Sequence, residues 1–151
     1  MTWKRFAEVV SGFNTDDLAT RRRFVEKELE AVNAMHRAGV PFLAGTDTPP
    51  GVYIFPGFSL HEELQRFVAA GFTPAEALQT ATLNPARFFG MEDKLGTIEK
   101  GKLADMVLLD ENPLEEIRNT QKIAGVVLNG RYLSRADLDK MLAGVEQAAK
   151  K

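Results

Sequence analysis

The stretch over residues 40–47, VPFLAGTD, restricts the fold of this chain more than any other segment does. Its first five residues are uncharged and mostly apolar, and Gly45, Thr46 and Asp47 follow at once. An apolar run of this length, bounded by glycine, is typical of a strand that is buried on both faces. Such strands belong to parallel sheets covered by helices, and functional groups in these folds lie at the carboxyl ends of the strands. The stretch therefore predicts an α/β fold with Asp47 at a functional position.

The composition narrows the kinds of partner that we expect. The chain has 151 residues, of which 44% are hydrophobic and 26% charged, as in a globular domain. A net charge of −2 supplies no basic field for phosphates, so nucleic acid is not an expected partner. The absence of cysteine excludes disulfides, thiolate metal sites and a cysteine nucleophile.

No apolar stretch approaches the length of a membrane span, so a membrane is not an expected partner either. The first residues lack the apolar core of a signal peptide. We therefore expect a cytoplasmic protein if Met1 is the natural start, whereas secretion stays open if an upstream portion is missing.

Apolar residues at helical spacing predict helices over residues 2–10 and 16–37, ahead of the VPFLAGTD stretch. Gly39 suits the position just past a helix end, and Pro41 prevents continuation, so the second helix leads directly into the strand. Beyond Asp47, residues 48–58 contain three prolines and three aromatic residues. This composition fits a substrate-facing loop or a rigid structural connector, and the sequence does not distinguish the two.

Capping signals predict where the later helices begin. Ser59 with Glu62, and Thr73 with Glu76, have the spacing of a capping box, in which two side chains and two backbone amides bond reciprocally. Asn84 before a proline repeats the signal for a further short helix. The closing helix begins with a capping pair as well, formed by Ser134 and Asp137.

The sequence period changes to that of strands after about residue 95. Strands are predicted over residues 97–98, 105–109 and 123–128. Asn129-Gly130 separates the last of these from another β-like run, and this dipeptide favours a hairpin turn that needs positive φ twice. A small β layer therefore follows the helical part, with the boundary between the two near residues 90–95.

Asp47 and His61 are the residues that we expect to carry chemistry. A carboxylate at the end of a buried strand can bind a cation or accept a proton from water, but it can equally cap the following loop. His61, near the start of a helix, can bind substrate, support Asp47 through a hydrogen bond or simply lie at the surface. The chain has two histidines in all, so histidines alone cannot complete a zinc site, which needs about three protein ligands.

Three segments together resemble the C-terminal part of the amidohydrolase superfamily. They are AGVPFLAGTD, the helical segment SLHEELQRFVAAGFTPAEALQTATLNPARFFG, and LGTIEKGKLADMVLLDENPL. The chain is most similar to the imidazolonepropionase-like and Xaa-Pro dipeptidase-like members of that superfamily. The resemblance runs from residue 38 to residue 133, and a late V-NG hairpin completes the pattern.

The resemblance implies a fold and a domain organisation. Family members have a (β/α)₈ TIM barrel with a metal site at the C-terminal ends of its strands, and a small β-sandwich built from both ends of the chain. By this resemblance, residues 1–92 are the C-terminal segment of the barrel, with its last helix-strand-helix units. Residues 93–133 supply strands of the β-sandwich, and residues 134–151 form the C-terminal helix and tail.

The resemblance also implies an activity and roles for two residues. Asp47 matches the family aspartate that ligates a divalent metal, zinc by expectation, deprotonates the hydrolytic water and passes the proton to the leaving group. His61 matches a position near the substrate that is often histidine. The other metal ligands of the family have no counterpart in this chain, so we expect no metal to be bound stably by this chain alone.

The implied protein is therefore a C-terminal fragment of a metal-dependent hydrolase of carbon–nitrogen bonds in amides, cyclic amides or dipeptides, inactive by itself. Its expected partner is the missing N-terminal barrel portion or a second copy of the chain. The alternative is a non-catalytic interaction module that pairs with a partner chain through free strand edges.

Overall fold

The computed structural model describes residues 11–12, 15–47 and 55–150. The helix predicted over residues 2–10 and most of the loop at 48–58 lie outside the described residues. The chain divides into two compact units, and the boundary between them in the sequence falls between Ala81 and Thr82. The fold is mixed α/β: the described part of the first unit is helical around an extended segment, and that of the second combines helices with a small sheet. Within the described ranges, no helix is both long and apolar enough to cross a membrane.

The first unit contains α1 (Thr15–Arg37), α2 (Phe58–Ala69) and α3 (Pro74–Ala81). The prediction of a helix over residues 16–37 is confirmed, with acidic residues in the first turn of α1 and His36 and Arg37 in the last. The core of this unit consists of buried side chains from α2, from α3 and from the loop between them, namely Leu64, Phe67, Ala70, Phe72 and Ala77.

An aromatic cluster joins the VPFLAGTD stretch to this core. The ring of Phe42 lies 5.8 Å from that of Phe67 and 5.3 Å from that of Phe72, in edge-on arrangements that aromatic pairs favour. His36 stacks on the other side of the cluster, with its ring 3.7 Å from Phe72. The stretch is therefore anchored through its side chains.

The prediction that residues 40–44 form a strand buried on both faces is wrong. Residues 40–47 are extended but have no strand partner within the described part of the chain, and exposed and half-buried side chains alternate from Pro41 to Asp47. Val40 and Leu43 remain about two-fifths exposed, at 40% and 39%. A run of apolar residues forms a buried strand only when neighbouring strands bond its backbone and helices cover its faces. The described part of this unit supplies helices that cover part of the run, but it contains no neighbouring strand.

The predicted helix caps have different outcomes. The capping box at Thr73 is confirmed: the Thr73 N–H donates to Glu76 Oε2 at 2.7 Å, and the Glu76 N–H donates to Thr73 Oγ1 at 3.2 Å. The box at Ser59 is wrong, because the N-cap of α2 is Gly57, two residues earlier, and the helix begins at Phe58. Ser59 is buried in the first turn of α2, and its hydroxyl accepts a hydrogen bond from the Phe55 N–H instead.

The second unit begins with α4 (Leu83–Phe88), whose N-cap is Thr82 and not the predicted Asn84. It continues with β1 (Met106–Leu109), a 3₁₀ turn (Ile117–Gln121), β2 (Ile123–Leu128), β3 (Arg131–Ser134) and α5 (Arg135–Ala149). The strands form an antiparallel sheet in the order β1-β2-β3. The strand predicted at residues 97–98 is not formed, and the longer strand predictions are confirmed.

Local signals set both ends of β3. Asn129 and Gly130 have φ of 50° and 74°, so the predicted hairpin turn is confirmed, and Leu128 pairs with Arg131 across it. At the other end, Ser134 and Asp137 form the predicted capping box of α5. The Asp105 carboxylate also accepts a hydrogen bond from the Asn129 N–H at 2.6 Å, which ties the turn to the residue just before β1.

Candidate functional site

Asp47 ends the extended segment of residues 40–47 and is exposed. Its φ of 41° lies in the left-handed region, which aspartate tolerates better than most residues because its short side chain can bond to nearby backbone. The chain therefore turns sharply at the residue that carries the carboxylate. The position of Asp47 directly after the apolar run agrees with the sequence, whereas the loop cap considered as an alternative involves residues outside the described ranges.

Two backbone donors hold the segment just before Asp47. The Ala44 N–H donates to the carbonyl oxygen of Thr80, near the end of α3, at 2.9 Å. The Gly45 N–H donates to Glu63 Oε1, on α2, at 3.2 Å. The two consecutive amides of Ala44 and Gly45 are therefore held by groups of two different helices, α3 and α2.

His61 lies in the first turn of α2 and is half-buried. Its ring faces Phe58 edge-on at 6.3 Å. Burial lowers the pKa of His61 from its ordinary value of 6.5, because the imidazolium ion loses hydration there. His61 is therefore neutral at pH 7 and offers one ring nitrogen as donor and one as acceptor.

Glu63 is the residue of this site that sequence reasoning missed. The capping-box interpretation placed Glu62 at the start of the helix and left its neighbour without a role. In the structure Glu62 is exposed, whereas Glu63 is half-buried and reaches the segment that ends in Asp47. α2 thus carries both His61 and the carboxylate that bonds to the Asp47 segment. The one signal in the sequence that could have indicated a role for Glu63 was its position in the helix that directly follows the loop after Asp47.

The donor set does not amount to a metal centre. Among the residues that the structure describes, no three or more His, Asp or Glu side chains gather where a metal ion could be bound. Asp47 offers a carboxylate, which suits zinc and other divalent cations, but a catalytic zinc needs about three protein ligands. The described residues therefore do not fit a complete metal site.

The described residues thus form a mixed α/β chain in which an exposed carboxylate directly follows an apolar segment held by two helices. The chain belongs to the amidohydrolase family, whose model matches residues 2–133. The resemblance inferred from the sequence motifs is thereby confirmed.

Curated and solved relatives agree with this assignment. The chain is 33% identical over 112 residues to an ochratoxinase of Aspergillus niger. The matched region covers 74% of this chain and 22% of the ochratoxinase. It is 39% identical over 92 residues to an imidazolonepropionase of Pseudomonas aeruginosa, covering 60% of this chain and 22% of the relative. A solved Xaa-Pro dipeptidase with bound methionine superposes with a TM-score of 0.63 at 32% identity, over 70% of this chain and 25% of that one. The chain thus spans about a quarter or less of these relatives.

Proposed function

We propose that this chain is the C-terminal part of a metal-dependent amidohydrolase that cleaves carbon–nitrogen bonds. Within that enzyme, the extended segment and its helices supply the last helix-strand-helix units of a (β/α)₈ barrel, and the sheet of the second unit supplies part of a β-sandwich. The observation that carries the proposal is the exposed Asp47 at the end of the extended segment, in a chain of this family. The relatives named above, which include an imidazolonepropionase and a dipeptidase, support a carbon–nitrogen bond as the bond that is cleaved.

Asp47 is the catalytic residue in this proposal. Asp47 would be one of the residues that hold the divalent metal of the complete enzyme, and that metal would supply charge stabilisation for the reaction. Asp47 also accepts a proton from the hydrolytic water and passes it to the leaving nitrogen. Its position beyond two anchored backbone amides suits both tasks, because a base must be held within hydrogen-bond reach of the proton that it takes.

His61 is the substrate-binding residue in this proposal. A neutral imidazole can donate a hydrogen bond to a carbonyl or carboxylate oxygen of the substrate. The substrate class stays at amides, cyclic amides or dipeptides, as the relatives' names indicate. Since the described residues contain no complete metal site, we propose that the chain needs an upstream barrel portion for activity.

Replacement of the carboxylate tests the role of Asp47. In the full-length hydrolase, Asp47→Asn should lower kcat at least a hundredfold on amide or dipeptide substrates, because general-base catalysis contributes roughly 10²–10⁴-fold. Asp93→Asn, an equally exposed aspartate of the second unit, is the matched control and should retain normal turnover. Normal folding of both variants is checked by circular dichroism. Persistent activity of Asp47→Asn would make Asp47 a loop cap.

A non-catalytic interaction module is the second candidate. It is favoured by apolar residues on the strands that are more than half exposed, among them Val107, Leu108 and Tyr132. A sheet of this kind can accept a partner through its surface or its edges. A full-length protein that binds a partner chain but hydrolyses no amide in the presence of zinc would favour this candidate over the enzyme.

A further inference from the structure

We propose that Glu63 is a positioning residue that holds the end of the extended segment so that Asp47 faces the reacting groups. This inference rests on the proposed function, because it concerns the orientation of the catalytic Asp47 carboxylate. It assigns a role to a side chain that no sequence motif singled out. Glu63 itself contacts neither substrate nor metal in this proposal.

The contact that carries the inference links a helix side chain to a backbone amide. The Gly45 N–H donates to Glu63 Oε1 at 3.2 Å, and Glu63 is half-buried on α2. A carboxylate oxygen of this kind is a suitable acceptor for a backbone N–H. The Glu63 carboxylate thus accepts the hydrogen bond of the Gly45 amide, as a carbonyl group of a neighbouring strand would in a sheet.

The place of the contact decides what it can control. Gly45 lies two residues before Asp47, which is about 7 Å of extended chain. Gly45 has no side chain to restrain it, and a Cβ built on it would meet no atom within 4 Å. The Thr80 carbonyl holds the neighbouring Ala44 amide, so Glu63 provides a second anchor close to the turn of the chain at Asp47.

Loss of this anchor should affect the reaction more than the fold. Without Glu63, the Gly45 amide loses its partner and the backbone at Gly45 gains freedom, whereas the aromatic contacts of Phe42 still anchor the start of the segment. A displacement of about 1 Å at a reacting group can lower the rate roughly a hundredfold. The expected signature is therefore a loss in kcat with little change in KM.

The contact itself is tested by NMR on the full 151-residue chain. Glu63→Met should move the Gly45 amide proton upfield and speed its hydrogen exchange, because the acceptor is removed. Glu63→Gln should keep most of the effect, since the amide oxygen of glutamine can still accept. Glu62→Met, at the exposed neighbouring position, should leave the Gly45 resonance unchanged. An unchanged Gly45 resonance in Glu63→Met would overturn the inference.

The role is tested by steady-state kinetics of the same variants in the full-length hydrolase. Glu63→Met should lower kcat roughly a hundredfold at nearly constant KM. Glu63→Gln should recover activity to within about tenfold of the natural protein, because the bond is weakened but kept. Glu62→Met should match the natural protein.

The outcomes separate this inference from the proposed function. A raised KM with constant kcat, or equal losses in Glu63→Gln and Glu63→Met, would overturn the positioning role even if Asp47→Asn is inactive. A natural full-length protein without any hydrolase activity would overturn the proposed function and, with it, the catalytic role of Glu63. The NMR result would still decide whether the bond to Gly45 exists.

Discussion

At the scale of single residues, hydrogen bonds from close neighbours decide how the acidic side chains behave. The backbone and hydroxyl of Thr73 both donate to Glu76 and lower the pKa of that carboxyl. Ser134 lowers the pKa of Asp137 in the same way. These carboxylates stabilise helix starts. The Glu63 carboxylate instead accepts from the Gly45 N–H, so the same chemical group there links α2 to the candidate site.

The depressed pKa of His61 makes a prediction about pH. Because burial favours the neutral imidazole in the folded state, stability from this residue is fully present above pH 6.5 and is lost as pH falls below that value. A ¹H NMR titration of the His61 imidazole should give a midpoint below 6.5. His61→Gln identifies the resonance by its disappearance and should remove this contribution to acid destabilisation. A midpoint at or above 6.5 would contradict the assignment of His61 as a desolvated, neutral group.

At the scale of elements, the chain is well defined where a signal is short-ranged. The hairpin between β2 and β3 depends on two consecutive residues with positive φ, and Asn129-Gly130 meets that need. α3 and α5 begin at capping boxes in which all groups lie within three residues. The extended segment of residues 40–47 is different, because a strand exists only through pairing with other parts of a chain.

A matched pair of glycines tests the turn. Gly130 has a φ of 74°, whereas Gly144 lies inside α5, and a Cβ built at either position meets no atom within 4 Å. Gly130→Ala should therefore destabilise the chain by about 1–2 kcal/mol through backbone strain alone. Gly144→Ala should stabilise it by about 0.5–1 kcal/mol, because alanine favours the helix. Urea unfolding measures both, and shifts of the same sign would contradict this account of the turn.

At the scale of the whole molecule, many apolar side chains remain in contact with solvent. Phe88, the last residue of α4, and Phe89, its C-cap, are 72% and 68% exposed, and Leu108 and Tyr132 of the sheet are each 57% exposed. Apolar exposure on this scale is typical of surfaces that another chain or segment covers. The chain covers 22% of the length of its curated relatives, which is consistent with further polypeptide packing on these surfaces in the proposed enzyme.

We therefore expect the isolated chain to associate, either with itself or with an upstream barrel portion supplied in trans. Sedimentation velocity over a range of concentrations should show species larger than a monomer. Leu108→Lys should weaken this association, because it places a charge on an exposed apolar position of the sheet. Gln121→Lys adds the same charge at an exposed polar position and should leave association unchanged. A stable monomer in dilute solution would count against the prediction.

The sequence by itself determined the features whose causes lie within a few residues, or in a joint pattern of motifs. These are the long helix α1, the caps at Thr73 and Ser134, the hairpin at Asn129-Gly130, the family, and the position of Asp47 after an apolar run. The roles of Asp47 and His61 remain predictions, because the groups that would complete the site are not among the described residues.

The tertiary structure alone decided features that depend on groups far apart in sequence. It left residues 40–44 without a strand partner in the described chain, because a local apolar run cannot specify its own neighbours. It directed Ser59 to the Phe55 amide, because α2 begins two residues earlier than its capping signal indicated. It also brought Glu63 to Gly45, a contact across 18 residues that depends on how α2 packs and that no local pattern encodes.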